Sequence, residues 1–272
     1  MQNIVKKTVA GITAGASMLA MAGTGLAAHN PQHYTLDGDA THVSPGNASS
    51  RAVQLVSDAT PPVYGAVVFP IEPGTTFSEL TTLSTDFNIT DDDCGGGSPR
   101  FQIRIDENNN GIIDPSDGNI HVAFGPSPTF TNCAPGWQNT GNLIGNNDAG
   151  RYDSGQVGGS AFGTYQDALN AAGTLNVLEI RVVADGFWNA DATNGDGEQT
   201  VLIDNTRINQ TLFTYELPVP TSREQCRNGG WQNLTDNNGT PFRNQGDCVS
   251  FFSTGGRNEA AGTTTPGNPN RP

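Results

Sequence analysis

The 272-residue sequence predicts an all-β fold: a jelly-roll-like β-sandwich with one short helix, plus a small disulfide-bridged C-terminal module. Three observations carry that prediction. Segments 51–56, 63–69, 101–105, 119–124, 177–184, 200–203 and 212–217 alternate apolar and polar residues or run in β-branched ones. The stretches between them are dense in Gly, Asn, Asp and Pro, which supply turns. Only one segment opens like a helix: Thr164-Tyr-Gln-Asp167 sets a capping box, Ala168 to Ala172 continue it, and Gly173 stops it. Short strands on long turn-rich connections favour a sandwich.

Taken in order, residues 1–28 have the form of a secretory signal. Lys6 and Lys7 precede an apolar run from Val9 to Ala22, and Gly25-Leu26-Ala27 offers a small-x-small cleavage site. No later segment approaches the roughly 20 apolar residues of a membrane span, so no membrane insertion is expected and the location expected is extracellular. Residues 29–50 read as a loose polar lead-in with a short strand near Tyr34, and 51–217 as the sandwich. Leu217-Pro-Val-Pro-Thr-Ser222 breaks the strand pattern, making 218–222 a linker to a unit at 223–253. That unit is too small to bury much apolar surface unaided, so its cysteines should be joined. Residues 254–272, nearly devoid of apolar side chains, are expected to be disordered.

Charge narrows the partners. Both lysines lie in the signal, so the processed chain keeps 11 arginines against 27 acids, a formal 11 − 27 = −16. Nucleic acid and anionic membranes need a basic surface and are excluded as partners. Four cysteines in an exported chain imply disulfides. Three pairings are open; 94–133 with 226–248 is expected, because each bridge then stays within one compact unit.

The most specific motif is Asp106-Glu-Asn108-Asn-Asn110-Gly111-Ile112-Ile113-Asp114-Pro-Ser-Asp117. Oxygen-bearing side chains occupy positions 1, 3, 5, 9 and 12 of a twelve-residue loop, with glycine at 6, the ligand order of an EF-hand calcium loop. Its flanks are strand-like, which puts the loop in a β-hairpin. Asp106, Asn108, Asn110, Asp114 and Asp117, with the Ile112 carbonyl, are the candidate ligands for Ca2+, weighed against an Asx-rich turn bonded to its own backbone. A second polar loop runs from Asp185 to Gly197 and contains Trp188. Trp188 and Trp137 are candidate sugar-stacking platforms, each weighed against a packing role. Asp91-Asp92-Asp93 reads as a solvated turn. Catalytic constellations are missing: the four histidines lack metal-ligand spacing, no Gly-x-Ser-x-Gly elbow occurs, and Glu179 stands beside Arg181.

Two stretches carry resemblances. Cys94-Gly-Gly-Gly-Ser-Pro-Arg-Phe101, Cys133-Ala-Pro-Gly136-Trp-Gln-Asn-Thr140-Gly-Asn-Leu143 and Val201-Leu-Ile-Asp204-Asn205 together resemble a group of uncharacterised secreted bacterial and archaeal proteins. Cys226-Arg-Asn-Gly-Gly-Trp231 with Phe242-Arg-Asn-Gln-Gly-Asp-Cys248-Val249 resembles a small C-terminal module of exported microbial proteins, which is usually lysine-rich and here carries arginines. The Asp204-Asn205 pair is also similar to carbohydrate-binding jelly rolls, and that likeness implies a structural calcium on Asp204. The expectation is a secreted, non-catalytic, calcium-stabilised protein engaging a polysaccharide or surface glycan. A matrix or envelope component, and a glycan-active hydrolase or lyase, are the alternatives.

Overall fold

The computed structural model describes residues 33–186 and 197–262. The signal segment and Trp188 lie outside the described residues. Twelve strands and two helices follow one another: β1 Thr35–Gly38, β2 Ala40–Val43, β3 Ala52–Ser57, β4 Gly65–Pro70, β5 Leu83–Asp91, β6 Arg100–Asp106, β7 Gly118–Ala123, β8 Gln138–Asn139, β9 Tyr152–Asp153, α1 Tyr165–Ala172, β10 Asn176–Ala184, β11 Gln199–Ile208, β12 Thr211–Phe213 and α2 Gln245–Ser253. One sheet has the order β1-β4-β10-β6-β7-β9; the other runs β2-β3-β11-β5-β8, with β12 also on β11. Every pairing is antiparallel. The two sheets close on one core of alternate side chains, among them Val53, Leu55, Val67, Phe69, Phe101, Ile103, Val201 and Ile203. The protein is an all-β sandwich.

Period-two alternation explains how that core is filled. In β6, Phe101, Ile103 and Ile105 turn inward, while Arg100, Gln102 and Arg104 turn outward and are only half-buried. Phe69 against Phe213, with centroids 4.7 Å apart, and Phe87 of β5 against Phe124 just past β7, at 5.4 Å, link the sheets through tilted aromatic pairs. Helix α1 starts as predicted: the Thr164 side chain accepts from the Asp167 N–H and the Asp167 side chain caps Thr164 in return. It ends at Gly173, where an added Cβ would come within 2.5 Å of the Leu169 carbonyl oxygen.

Several elements depart from the sequence reading. Beyond the short strand expected near Tyr34, which is β1, region 29–50 also supplies β2; each is an edge strand whose backbone completes a ladder, on β4 and β3 respectively. β5 is a nine-residue strand that the sequence reading missed. Its inward positions alternate Leu83, Thr85 and Phe87, and Thr85 breaks the apolar signal. That hydroxyl is satisfied inside the sandwich, 2.8 Å from Thr206 Oγ1. Helix α2 was also missed; Gly246 dilutes its propensity, yet Asn244 caps it by accepting from the Asp247 N–H.

The cysteines pair 94–133 and 226–248. Around the second bridge a separate apolar cluster forms from Leu234, Phe242 and Phe251, with Trp231 and Val249 against it. Asp93 belongs to the first bridge rather than to a solvated turn. Its Oδ1 accepts from both the Cys94 and the Cys133 N–H at 2.7 Å, tying the two bridged backbones together.

Candidate functional site

The predicted metal loop connects β6 to β7, and strands bracket it on both sides. Asp106 is the last residue of β6 and only 1 % exposed. Its Oδ1 accepts from the Asn110 N–H at 3.1 Å and its Oδ2 from the Gly111 N–H at 2.9 Å, which curls the loop around the carboxylate. Gly111 takes φ +71°, a left-handed conformation that glycine adopts without cost. Asn108 Oδ1 accepts from the Asn110 N–H at 3.0 Å, and Asn110 Oδ1 from the Ile112 N–H at 2.7 Å. Asp114 Oδ2 receives the Asn108 and Asn110 side-chain amides at 3.0 and 2.7 Å. Donation from the Ser116 hydroxyl and N–H, then from those amides, holds the Asp114 carboxyl well below the usual range.

Asp117 differs from its neighbours. It is 7 % exposed, and its Oδ2 caps the Asp114 N–H at 2.8 Å. Its Oδ1 is buried with no hydrogen-bond partner among the described residues, an expensive state for a carboxylate oxygen. All of these groups are hard oxygen donors, the type calcium takes. The Asp106, Asp114 and Asp117 carboxylates are not drawn into one tight group. Among the described residues the three-membered group with ligand atoms within 4.8 Å of one another is Asp93 with Cys94 and Cys133, and those sulfurs are already bonded.

Asp204 lies elsewhere, on β11 in the other sheet, fully buried. Protein donors surround it: Oδ2 accepts from the Asn47 N–H at 2.8 Å and the Ser49 hydroxyl at 2.6 Å, and Oδ1 from the Asn205 N–H at 2.7 Å. Burial pushes its pKa up against those bonds. It thus pins the 47–49 segment to β11 and belongs to no loop-106 cluster. Trp137 is half-buried just before β8. Glu179 points outward from β10, where its Oε1 accepts from Arg181 Nε at 2.7 Å. Arg181 also reaches Asp37 at 2.8 Å.

The outward residues of the first sheet form a polar surface that the sequence reading did not assemble. Cross-strand register lines up Arg181, Gln102, His121 and Asp153 on β10, β6, β7 and β9. Beyond that row opens a groove of about 590 Å³, lined by Arg100, His121, Asp153 and Asp185 with Phe130 and Phe162. Arg100 is clamped by Asp185, with Nη2 to Oδ2 at 2.5 Å. Arg151, buried at the wall, donates Nη1 to the carbonyls of Ala123 at 2.8 Å and Gly125 at 2.9 Å, gives Nη2 to Asp148 at 2.9 Å, and stacks 4.6 Å from the Phe130 centroid. Burial, then the Arg100 charge, pushes the His121 pKa down against the opposing pull of Asp153. Alternation in β6 and β7 placed Arg100, Gln102 and His121 on one face. The approach of Asp153 and Phe162 had no local signal.

No family model and no curated protein matches the sequence. Among solved structures, a family 11 carbohydrate-binding module of a cellulosomal cellulase of Clostridium thermocellum aligns over 65 % of this chain and 84 % of its own, at 11 % identity and a TM-score of 0.34. An agarase aligns over 66 % of this chain at 12 % identity and TM-score 0.35, and an exo-beta-agarase over 68 % at 16 % and 0.29. The match spans 24 % of each agarase chain. Scores this low carry no argument about activity, and the sandwich rests on its own strand pairing.

Proposed function

We propose that this protein is a secreted, non-catalytic binding module, stabilised by calcium in the β6–β7 loop, that engages a glycan or cell-surface ligand. The observation that carries the calcium part is the buried, unpartnered Asp117 Oδ1 in a loop otherwise saturated with hydrogen bonds. A divalent cation would give that oxygen a partner and offset the repulsion among three carboxylates. The ligands would be Asp106, Asn108, Asn110, Asp114 and Asp117, with the Ile112 carbonyl. Asp204, in the other sheet, accepts from Asn47, Ser49 and Asn205 and would serve a separate ion rather than the loop. Secretion is supported by the two disulfides and by the lack, among the described residues, of a helix long and apolar enough to cross a membrane.

The binding part is supported by the polar row on the outer face of the first sheet and the groove at its end. Glu179, engaged by Arg181, is tied up as a ground-state ion pair rather than presented as a free acid. Calorimetric titration of the chelated protein with CaCl2 tests the metal; no heat, with an unchanged melt, sinks it. Incubation with polysaccharides tests the non-catalytic claim, and release of reducing sugar that disappears in Glu179→Gln would reverse it.

A further inference from the structure

We propose that the groove at the β7–β9 end of the first sheet binds an uncharged pyranose sugar, stacked on Phe162 and hydrogen-bonded by Asp153, His121 and Arg100. This deepens the binding reading above and rests on it for target class, but it does not depend on the calcium.

Phe162 is 84 % exposed, the largest exposure among the big apolar side chains of the described residues. It is nevertheless anchored. Its N–H lies 3.3 Å from Ser160 Oγ, and the next residue, Gly163, exchanges backbone hydrogen bonds with Tyr152 of β9 at 2.8 and 3.2 Å. The backbone that carries the ring is therefore tied to β9, and a ligand stacking on Phe162 has little loop entropy left to remove. An exposed, positioned aromatic is a face for the apolar C–H side of a sugar ring. Across the groove, Phe130 has its ring taken by Arg151. Gly96, Gly97 and Ala123 line the groove too, leaving it little obstructed by side chains. Its volume of about 590 Å³ falls within the roughly 300–1,000 Å³ of small-ligand sites.

Charge decides the class of sugar. Each cation at the groove is already committed: Arg100 to Asp185, Arg151 to Asp148 and two carbonyls. A uronate, sulfate or phosphate would meet Asp153 and Asp185 and find no uncommitted cation. What the groove does offer is the half-exposed Asp153 as acceptor, His121 as a two-sided partner, and the one Arg100 Nη2–H that Asp185 does not take as donor, a set suited to hydroxyl groups.

The test is isothermal titration of the full chain with neutral gluco-, galacto-, manno- and xylo-oligosaccharides, alginate as the anionic probe, and chitosan oligomers as the cationic one. At least one neutral sugar is expected to bind, with a Kd little changed between about 0.05 and 0.5 M NaCl. Phe162→Ala should weaken it about tenfold, the upper weight of one aromatic stack. Asp153→Asn should weaken it severalfold, and Val63→Ala, at an exposed apolar residue outside the groove lining, should leave it alone. Phe162→Ala should melt as the parent does, since the ring is outside the core. Binding of alginate or chitosan alone would overturn the proposal, and so would a neutral sugar whose Kd is unchanged in Phe162→Ala; either leaves the binding-module reading standing. No binding to any of these glycans removes this proposal and the glycan part of the reading above, and leaves its cell-surface-ligand part.

Discussion

Asp117 caps the Asp114 N–H with one carboxylate oxygen at 2.8 Å and keeps the other buried without a partner. A loop that otherwise satisfies itself so fully retains such an oxygen only at a cost, and a cation removes that cost.

Calcium should therefore stabilise the parent and not the Asp117→Asn variant. At a hundredfold excess over Kd the linkage gain is about 2.7 kcal/mol, roughly 5–10 °C in Tm for a domain of this size. Differential scanning calorimetry with calcium and with chelator reads it directly. An equal calcium shift in Asp117→Asn would refute the site.

Stability should decline as the solution is acidified below the ordinary histidine pKa of 6.5. Burial, then the Arg51 charge, pushes His42 down; burial, then Arg100, pushes His121 down against Asp153 and Asp185. Both stay neutral in the fold where the unfolded chain takes up protons. The unfolded state then binds more protons, so stability rises with pH across this window and is fully present above 6.5. Urea midpoints between pH 7.5 and 5.5 should fall, and His42→Gln with His121→Gln should flatten the slope.

Arg151→Lys should cost about 2–3 kcal/mol. One guanidinium serves the Ala123 and Gly125 carbonyls, the Asp148 carboxylate and the Phe130 face, and an ammonium cannot fork to all of them. Chemical denaturation measures this; a loss below about 0.5 kcal/mol, the level of an ordinary surface substitution, would show the interactions to be incidental.

Replacing Cys226 and Cys248 by alanine should loosen the C-terminal cluster selectively. Their bridge closes a separation of 22 residues, for which chain entropy gives about 3 kcal/mol. Amide exchange should speed up across Phe242 to Phe251 and stay slow in β6 and β7. Uniform acceleration throughout would mean that the two apolar clusters fold as one.

What the sequence by itself determined is local. The alternation of Phe101, Ile103 and Ile105 with Arg100, Gln102 and Arg104 settles which face of β6 is buried, since period two leaves no other choice. The Thr164–Asp167 box settles where α1 begins, and cysteine placement in two stretches foretold both bridges. Tertiary structure decided the rest. β5 became a strand because Thr85 found Thr206 inside the core, and β2 because a free sheet edge awaited it. Phe162 and Asp153 met His121 and Arg100 through the Tyr152–Gly163 bridge, a contact between segments with no shared pattern. Local periodicity reports which way a side chain points; only the packed chain reports what it faces.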